Sequence, residues 1–128
     1  MGVFQRPLAL DINKMHEFTH GLLNEIKLKS LETSEEIAGV IFKFKELNFF
    51  QMNNLSYSKE GEFEIDPKVV LLKDKIHCIF HSHPVSDAAP SVKDKNIFKN
   101  HKIPLLIYSC IYDNFVFFNG EKCKPIKV

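Results

Sequence analysis

Ile76-His77-Cys78-Ile79-Phe80-His81-Ser82-His83-Pro84 is the stretch on which the reading of this chain turns. Ile76 to Phe80 has the β-branched and aromatic character of a buried strand. Two histidines follow, one residue apart. In an extended chain alternate side chains share a face, so His81 and His83 point at one spot while Ser82 points away. Pro84 ends the ladder, and Pro90 precedes a helix predicted over Ser91 to Asn100. Asp94 then lies in the first turn of that helix, within reach of the same spot. Two imidazole nitrogens and one carboxylate oxygen form an open three-ligand zinc set. The vacant position takes water, whereas a structural zinc would be closed by a fourth protein ligand. A plainer reading exists. His-x-His can arise by chance in a chain with six histidines, and Ser91-x-x-Asp94 is also a capping box worth about 1 kcal/mol.

Working outward, Asp11 to Ser30 is predicted as a helix. Ile12, Met15, Thr19, Leu22, Leu23 and Ile26 fall at helical spacing, with Asp11 or Asn13 as the cap. Strands are predicted at Ile37 to Phe44 and at Asn48 to Met52, with a polar loop from Asn53 to Glu60. Glu62 to Ile65 reads as a short strand. Asp66-Pro67 starts one or two helical turns over Lys68 to Lys73. Leu105 to Ile111 and Phe115 to Phe118 complete the set as a pair joined through Tyr112-Asp113-Asn114. This order predicts an α/β sandwich with a mixed, mostly antiparallel sheet flanked by helices, in one domain spanning residues 1–128.

The motif resembles the signature of the JAMM family (also JAB or MPN-plus), which comprises zinc metalloproteases and isopeptidases. That signature is His-Ser/Thr-His-Pro, six residues, serine, two residues, aspartate. Here Val85 to Pro90 supply the six, and Val92 and Lys93 the two. The family's upstream Glu-x-x-Gly, ahead of a hydrophobic strand, matches Glu36-Ile37-Ala38-Gly39 followed by Val40-Ile41-Phe42. Glu35 is the adjacent alternative, and the spacing to Gly39 selects Glu36. The likeness runs from about Leu31 to Tyr108 and is strongest to short prokaryotic JAB domains, some of them encoded among phage tail genes. Phe63-Glu64-Ile65-Asp66-Pro67 and Ile103 to Ser109 also resemble that subgroup.

The resemblance implies a JAMM/MPN-like sandwich and one catalytic zinc ion on His81, His83 and Asp94. Glu36 is then the general base and later the general acid. Ser91 Oγ donates to the oxyanion, beside its role as a helix cap. Ser82, which strand alternation turns away from the metal, is read as supporting either the metal site or the fold. The implied activity is hydrolysis of a peptide or isopeptide bond, with a protein substrate that includes ubiquitin-like modifiers. The alternative is a phage-tail assembly component whose domain processes or docks tail proteins. The intact ligand set argues against a third reading, a metal-free scaffold.

Composition agrees. The chain has 128 residues, 45% hydrophobic and 26% charged, with twelve phenylalanines and no tryptophan. A net charge of +1 gives no strong field toward nucleic acid or membrane. No apolar run approaches the roughly 20 residues that cross a bilayer. The N-terminus lacks a signal-peptide core. Cys78, Cys110 and Cys123 are odd in number and unpatterned. They point to a reducing compartment, the cytoplasm.

His16-Glu17-Phe18-Thr19-His20 is a literal His-Glu-x-x-His and thus a rival zinc motif. No third ligand is signalled for it at a family spacing, and only fifteen residues precede His16, too few to build a cleft. Both histidines sit on or beside the apolar stripe of the first helix, so the match is read as coincidence. His77, before a strand core, and His101, at a helix end, need no functional role.

Overall fold

The computed structural model describes residues 17–52 and 73–126. In chain order they form helix α1 (His20–Leu31), strands β1 (Ala38–Lys43) and β2 (Leu47–Met52), a short 3-10 turn at Lys73–Lys75, strand β3 (Ile76–His83), helix α2 (Val92–His101), and strands β4 (Leu105–Ser109), β5 (Asn114–Phe118) and β6 (Cys123–Ile126). The six strands make one sheet in the order β2-β1-β3-β4-β5-β6. Only β3 and β4 run parallel, with α2 as their crossover, and every other neighbouring pair is antiparallel. The described residues are therefore α/β, with a mixed sheet and two α-helices.

Strand alternation sorts the core into two clusters, one on each face of the sheet. Leu22, Leu23 and Ile26 of α1 pack with Ile41, Phe80, Leu106, Tyr108, Phe115 and Phe117. Ile97 and Phe98 of α2 pack with Val40, Ile79, Leu105, Ile107 and Phe118. From Cys78 onward, odd-numbered residues of β3 face α2 and even-numbered ones face α1; a register shift against β1 puts Ile76 on the α2 side instead. His81 and His83 are thus directed at α2 by the pleat itself.

Several boundaries differ from the sequence reading. Of the helix predicted over Asp11 to Ser30, the described helix spans His20–Leu31, and residues 11–16 lie outside the described residues. Thr19, in extended conformation, caps it by accepting from Leu22 N–H. Asp11 and Asn13 lie outside the described residues, as do the strand predicted at Glu62 to Ile65 and the turns predicted over Lys68 to Lys73, except that Lys73 opens the 3-10 turn. β3 runs three residues beyond Phe80, so both histidines lie within the strand. Ser91 is the cap of α2 rather than its first residue. Strand β6 was not foreseen, because Cys123-Lys124-Pro125-Ile126 carries a lysine and a proline. Among the described residues it is an edge strand, paired with β5 alone, where a residue without an N–H is tolerated.

Gly39 shows why β1 needs its glycine. A Cβ there would lie 2.4 Å from a ring carbon of Phe49 and 2.6 Å from the backbone oxygen of Phe50. The carbonyl belongs to the paired strand β2 and cannot swing aside. Gly39→Ala should therefore destabilise the fold by about 1–3 kcal/mol, as overpacking does. A melting temperature equal to that of the parent would contradict this account.

Candidate metal centre

The centre forms at the carboxyl end of β3, beside its parallel neighbour β4 and facing the first turn of α2. Open α/β sheets commonly place ligands at such strand ends. His81 is 1% exposed, His83 5% and Asp94 0%. Asp94 Oδ1 lies 2.6 Å from His81 Nδ1, and Oδ2 lies 2.9 Å from His83 Nε2. Each of the three offers a ligand atom, and these atoms lie within 4.8 Å of one another.

The surroundings hold each ligand in place. His83 Nδ1 sits 2.6 Å from the carbonyl oxygen of Asp87, which can only accept, so that nitrogen carries the proton. In neutral imidazole this leaves the lone pair on Nε2, aimed at Asp94. A backbone carbonyl fixing the remote nitrogen is the usual support of a metal-binding histidine. Asp94 belongs to a complete capping box. Its N–H donates to Ser91 Oγ at 3.1 Å, while Asp94 Oδ2 accepts from Ser91 N–H and from Ser91 O–H, both at 2.9 Å. The loop from Pro84 to Ser91 is braced where Ser109 O–H donates to the Ser86 carbonyl at 2.7 Å and Cys110 N–H donates to the His83 carbonyl at 3.0 Å.

Glu36 reaches the same place from the segment just before β1. Ser82, on the opposite face of β3, accepts from Ile37 N–H at 2.8 Å, and its own N–H donates to the Ile37 carbonyl at 2.9 Å. These bonds pin Ile37 into the α1 side of the core, and alternation turns Glu36 to the α2 side. Glu36 Oε1 lies 2.8 Å from His81 Nε2 and 3.1 Å from Lys93 Nζ. Glu35 is exposed, and its N–H donates to Thr33 Oγ1. Ser82 thus has the structural work expected of it.

Sequence reasoning did not single out Lys93 or Asp87. The run Ser86-Asp87-Ala88-Ala89-Pro90 does carry a turn signal, realised as Ala89 N–H donating to Asp87 Oδ1 at 3.1 Å. The rival motif is not built as one helical face. His20 is the first residue of α1 and is exposed, Glu17 forms an ion pair with Lys43, and His16 lies outside the described residues. Among the described residues, His81, His83 and Asp94 are the group of potential ligands close enough to share a metal ion.

Electrostatics couple the cluster. Burial alone would raise the Asp94 pKa, but hydrogen bonds from His81 and His83, the His81 charge and the Ser91 N–H overcome it and hold the carboxyl well below the usual range. Burial works to lower both imidazole pKa values. The bonds to Asp94, joined by Glu36 at His81 and by the Asp87 carbonyl at His83, outweigh it and leave both raised. Glu36 is pulled down in turn by His81 and Lys93, against its own burial. In the metal-free chain the raised imidazoles contribute stability that is fully present below their ordinary value of 6.5 and lost as pH rises through the folded values. Asp94 contributes stability present above its ordinary 3.8 and lost as pH falls through its lowered folded value. Metal-free protein should thus weaken as pH rises above neutrality, and added zinc should reverse that loss. Zinc at a thousand times its Kd adds about 4 kcal/mol, on the order of 15 °C in a domain of this size. Chelation should lower the melting temperature by a comparable amount without unfolding the chain, because the core is large enough to fold alone. A random-coil circular dichroism spectrum in chelator would contradict this.

No family model and no curated protein matches the chain. Among solved structures it is similar to the solution structure of protein DSY2949 from Desulfitobacterium hafniense, at 21% sequence identity and a TM-score of 0.58, over 84% of this chain and 86% of that one. At this identity the likeness is one of fold, and it agrees with the α/β architecture. No described helix is long and apolar enough to cross a membrane.

Proposed function

We propose that this chain is a zinc-dependent peptidase or isopeptidase of the JAMM type, with a JAMM/MPN-like sandwich fold, that cuts a peptide or isopeptide bond in a protein substrate. One observation carries the reading: a fully buried carboxylate with two buried imidazoles, and a second carboxylate, Glu36, 2.8 Å from one of them. The donor set suits zinc, being two nitrogens and one oxygen, with one imidazole already oriented by a carbonyl. His81, His83 and Asp94 would hold the ion, which supplies an acidified water and a Lewis acid for the scissile carbonyl.

The chain's own groups do the rest. Glu36, held as carboxylate by His81 and Lys93, takes a proton from the attacking water and delivers it to the leaving nitrogen. Ser91 O–H donates to Asp94 Oδ2 and, with the carboxylate otherwise engaged, turns to the oxyanion that forms at the scissile carbon. Val85 and Val92, both largely exposed, border the ligands in sequence and offer an apolar rim to the substrate chain. A substrate panel tests the reading, comprising fluorogenic peptides, linear fusions and isopeptide-linked ubiquitin-like conjugates. Zinc-loaded protein should cleave at least one member, and chelated protein none. Hydrolysis that persists in chelator, or a fully zinc-loaded chain that cuts nothing in the panel, would overturn it.

A further inference from the structure

A cavity of about 1040 Å³ lies between α2 and the β5–β6 hairpin. Its size is that of a site for a substantial ligand. The Phe98 and Phe118 rings, 5.9 Å apart, form the apolar base. Around it stand Lys95, Lys99 and Lys102 from one wall and Lys122 from the other, all exposed, against a single carboxylate, Glu121. In a chain of net charge +1, four ammonium groups to one carboxylate is a local concentration of positive charge. Lys95, Lys99 and Lys102 recur at helical spacing on one side of α2. Lys102 occupies the left-handed region, with φ 57°, where glycine or asparagine is the usual helix terminator. Gly120, with φ +100°, lets the hairpin turn approach so closely that a Cβ would lie 2.2 Å from the Phe98 ring. Ala89 and Pro90, at one end of the cavity, belong to the loop that joins the His83–Asp87 contact to Ser91.

We propose that this cavity is an exosite for an acidic segment of the protein substrate, carrying carboxylates around an apolar or aromatic side chain. Flexible lysines suit scattered carboxylates, and an aromatic base suits an apolar side chain between them. The cavity follows one helix of ten residues, a length of about 15 Å. That matches a few residues of extended peptide better than the long charged track that nucleic acid needs. The exosite rests on the peptidase reading for the identity of its ligand as substrate, but its binding is separable from the metal.

The test uses fluorescence anisotropy of a short fluorescein-labelled peptide of glutamates around one phenylalanine, with the full chain, in zinc and in chelator. Binding should be saturable, equal in both conditions, weakened by salt, and absent for the counterpart with glutamine at every glutamate. K95E/K99E should weaken it by about tenfold or more, since each exchange turns attraction into repulsion. K122E, on the opposite wall, should weaken it independently and covers the case in which the double variant melts early. K45E, on the β1–β2 turn, should leave it unchanged. No binding by a chain that still takes up zinc would overturn the exosite and leave the peptidase reading standing. Lysine-dependent peptide binding by a chain that takes up no zinc would do the reverse. A single-stranded oligonucleotide that displaces the peptide at lower concentration would overturn the assignment in favour of nucleic acid.

Discussion

Glu36→Gln should retain zinc and fold while losing about 100- to 10,000-fold of the hydrolytic rate, the range that general-base loss commonly costs. Glutamine keeps the length and hydrogen bonding of glutamate but cannot accept a proton. The contact between Glu36 and His81 Nε2 at 2.8 Å places the carboxylate at the cluster without making it one of the three mutually close ligand groups. Loss of the carboxylate should therefore reach the chemistry and spare the metal. The Lys93 ion pair at 3.1 Å adds a diagnostic. Lys93→Met removes a charge that holds the Glu36 pKa down, so the acid limb of the rate profile should move to higher pH while the metal content stays level. Glu35→Gln is the matched control. Glu35 is exposed and its neighbour Ile37 is tied to Ser82, so the two glutamates cannot exchange places without breaking both Ile37 bonds. A dead Glu35→Gln beside a live Glu36→Gln would move the base by one residue. Full activity in both would remove general-base catalysis from the mechanism.

The site was legible in the sequence where its geometry follows from local periodicity. His81 and His83 share a face because a strand alternates, and Asp94 meets them because a proline and a capping serine start a helix nine residues beyond His83, which puts Asp94 in its first turn. The sheet was legible for the same reason, since runs such as Cys78 to Phe80 and Leu105 to Ile107 are apolar throughout, as suits strands covered on both faces. Longer-range facts were not. The start of α1 depends on Thr19 capturing Leu22 N–H, and Asp11 and Asn13 compete for that role equally well by type. β6 exists because β5 offers it an edge, which Cys123-Lys124-Pro125-Ile126 does not announce. The Lys93–Glu36 ion pair joins residues 57 positions apart, and the Asp87 contact to His83 uses a backbone oxygen, which no side-chain pattern encodes. The basic cavity needs α2 and the β5–β6 hairpin brought together, so its lysines read in sequence as ordinary solvated charge.

His83→Ala should abolish stoichiometric zinc binding, from about one ion per chain to none measurable by elemental analysis of the dialysed protein, as removal of one of three ligands demands. The variant also separates a metal centre from a purely structural ion network. If the cluster served only stability, His83→Ala would leave Asp94 buried with one partner fewer, and the cost would be about 3–5 kcal/mol whether or not metal were present. If the cluster holds zinc, the parent chain gains stability from added metal and the variant does not, so their melting curves diverge as zinc is titrated and converge in chelator apart from that fixed cost. Acid should produce the same convergence in the parent, because protons compete for imidazoles whose pKa values are already raised by Asp94. His20→Ala is the discriminating control. His20 opens α1 in an exposed position, and its substitution should leave both zinc content and melting curve where they were. Zinc lost on changing His20 and kept on changing His83 would transfer the metal to the His-Glu-x-x-His segment and dissolve the assignment of this centre.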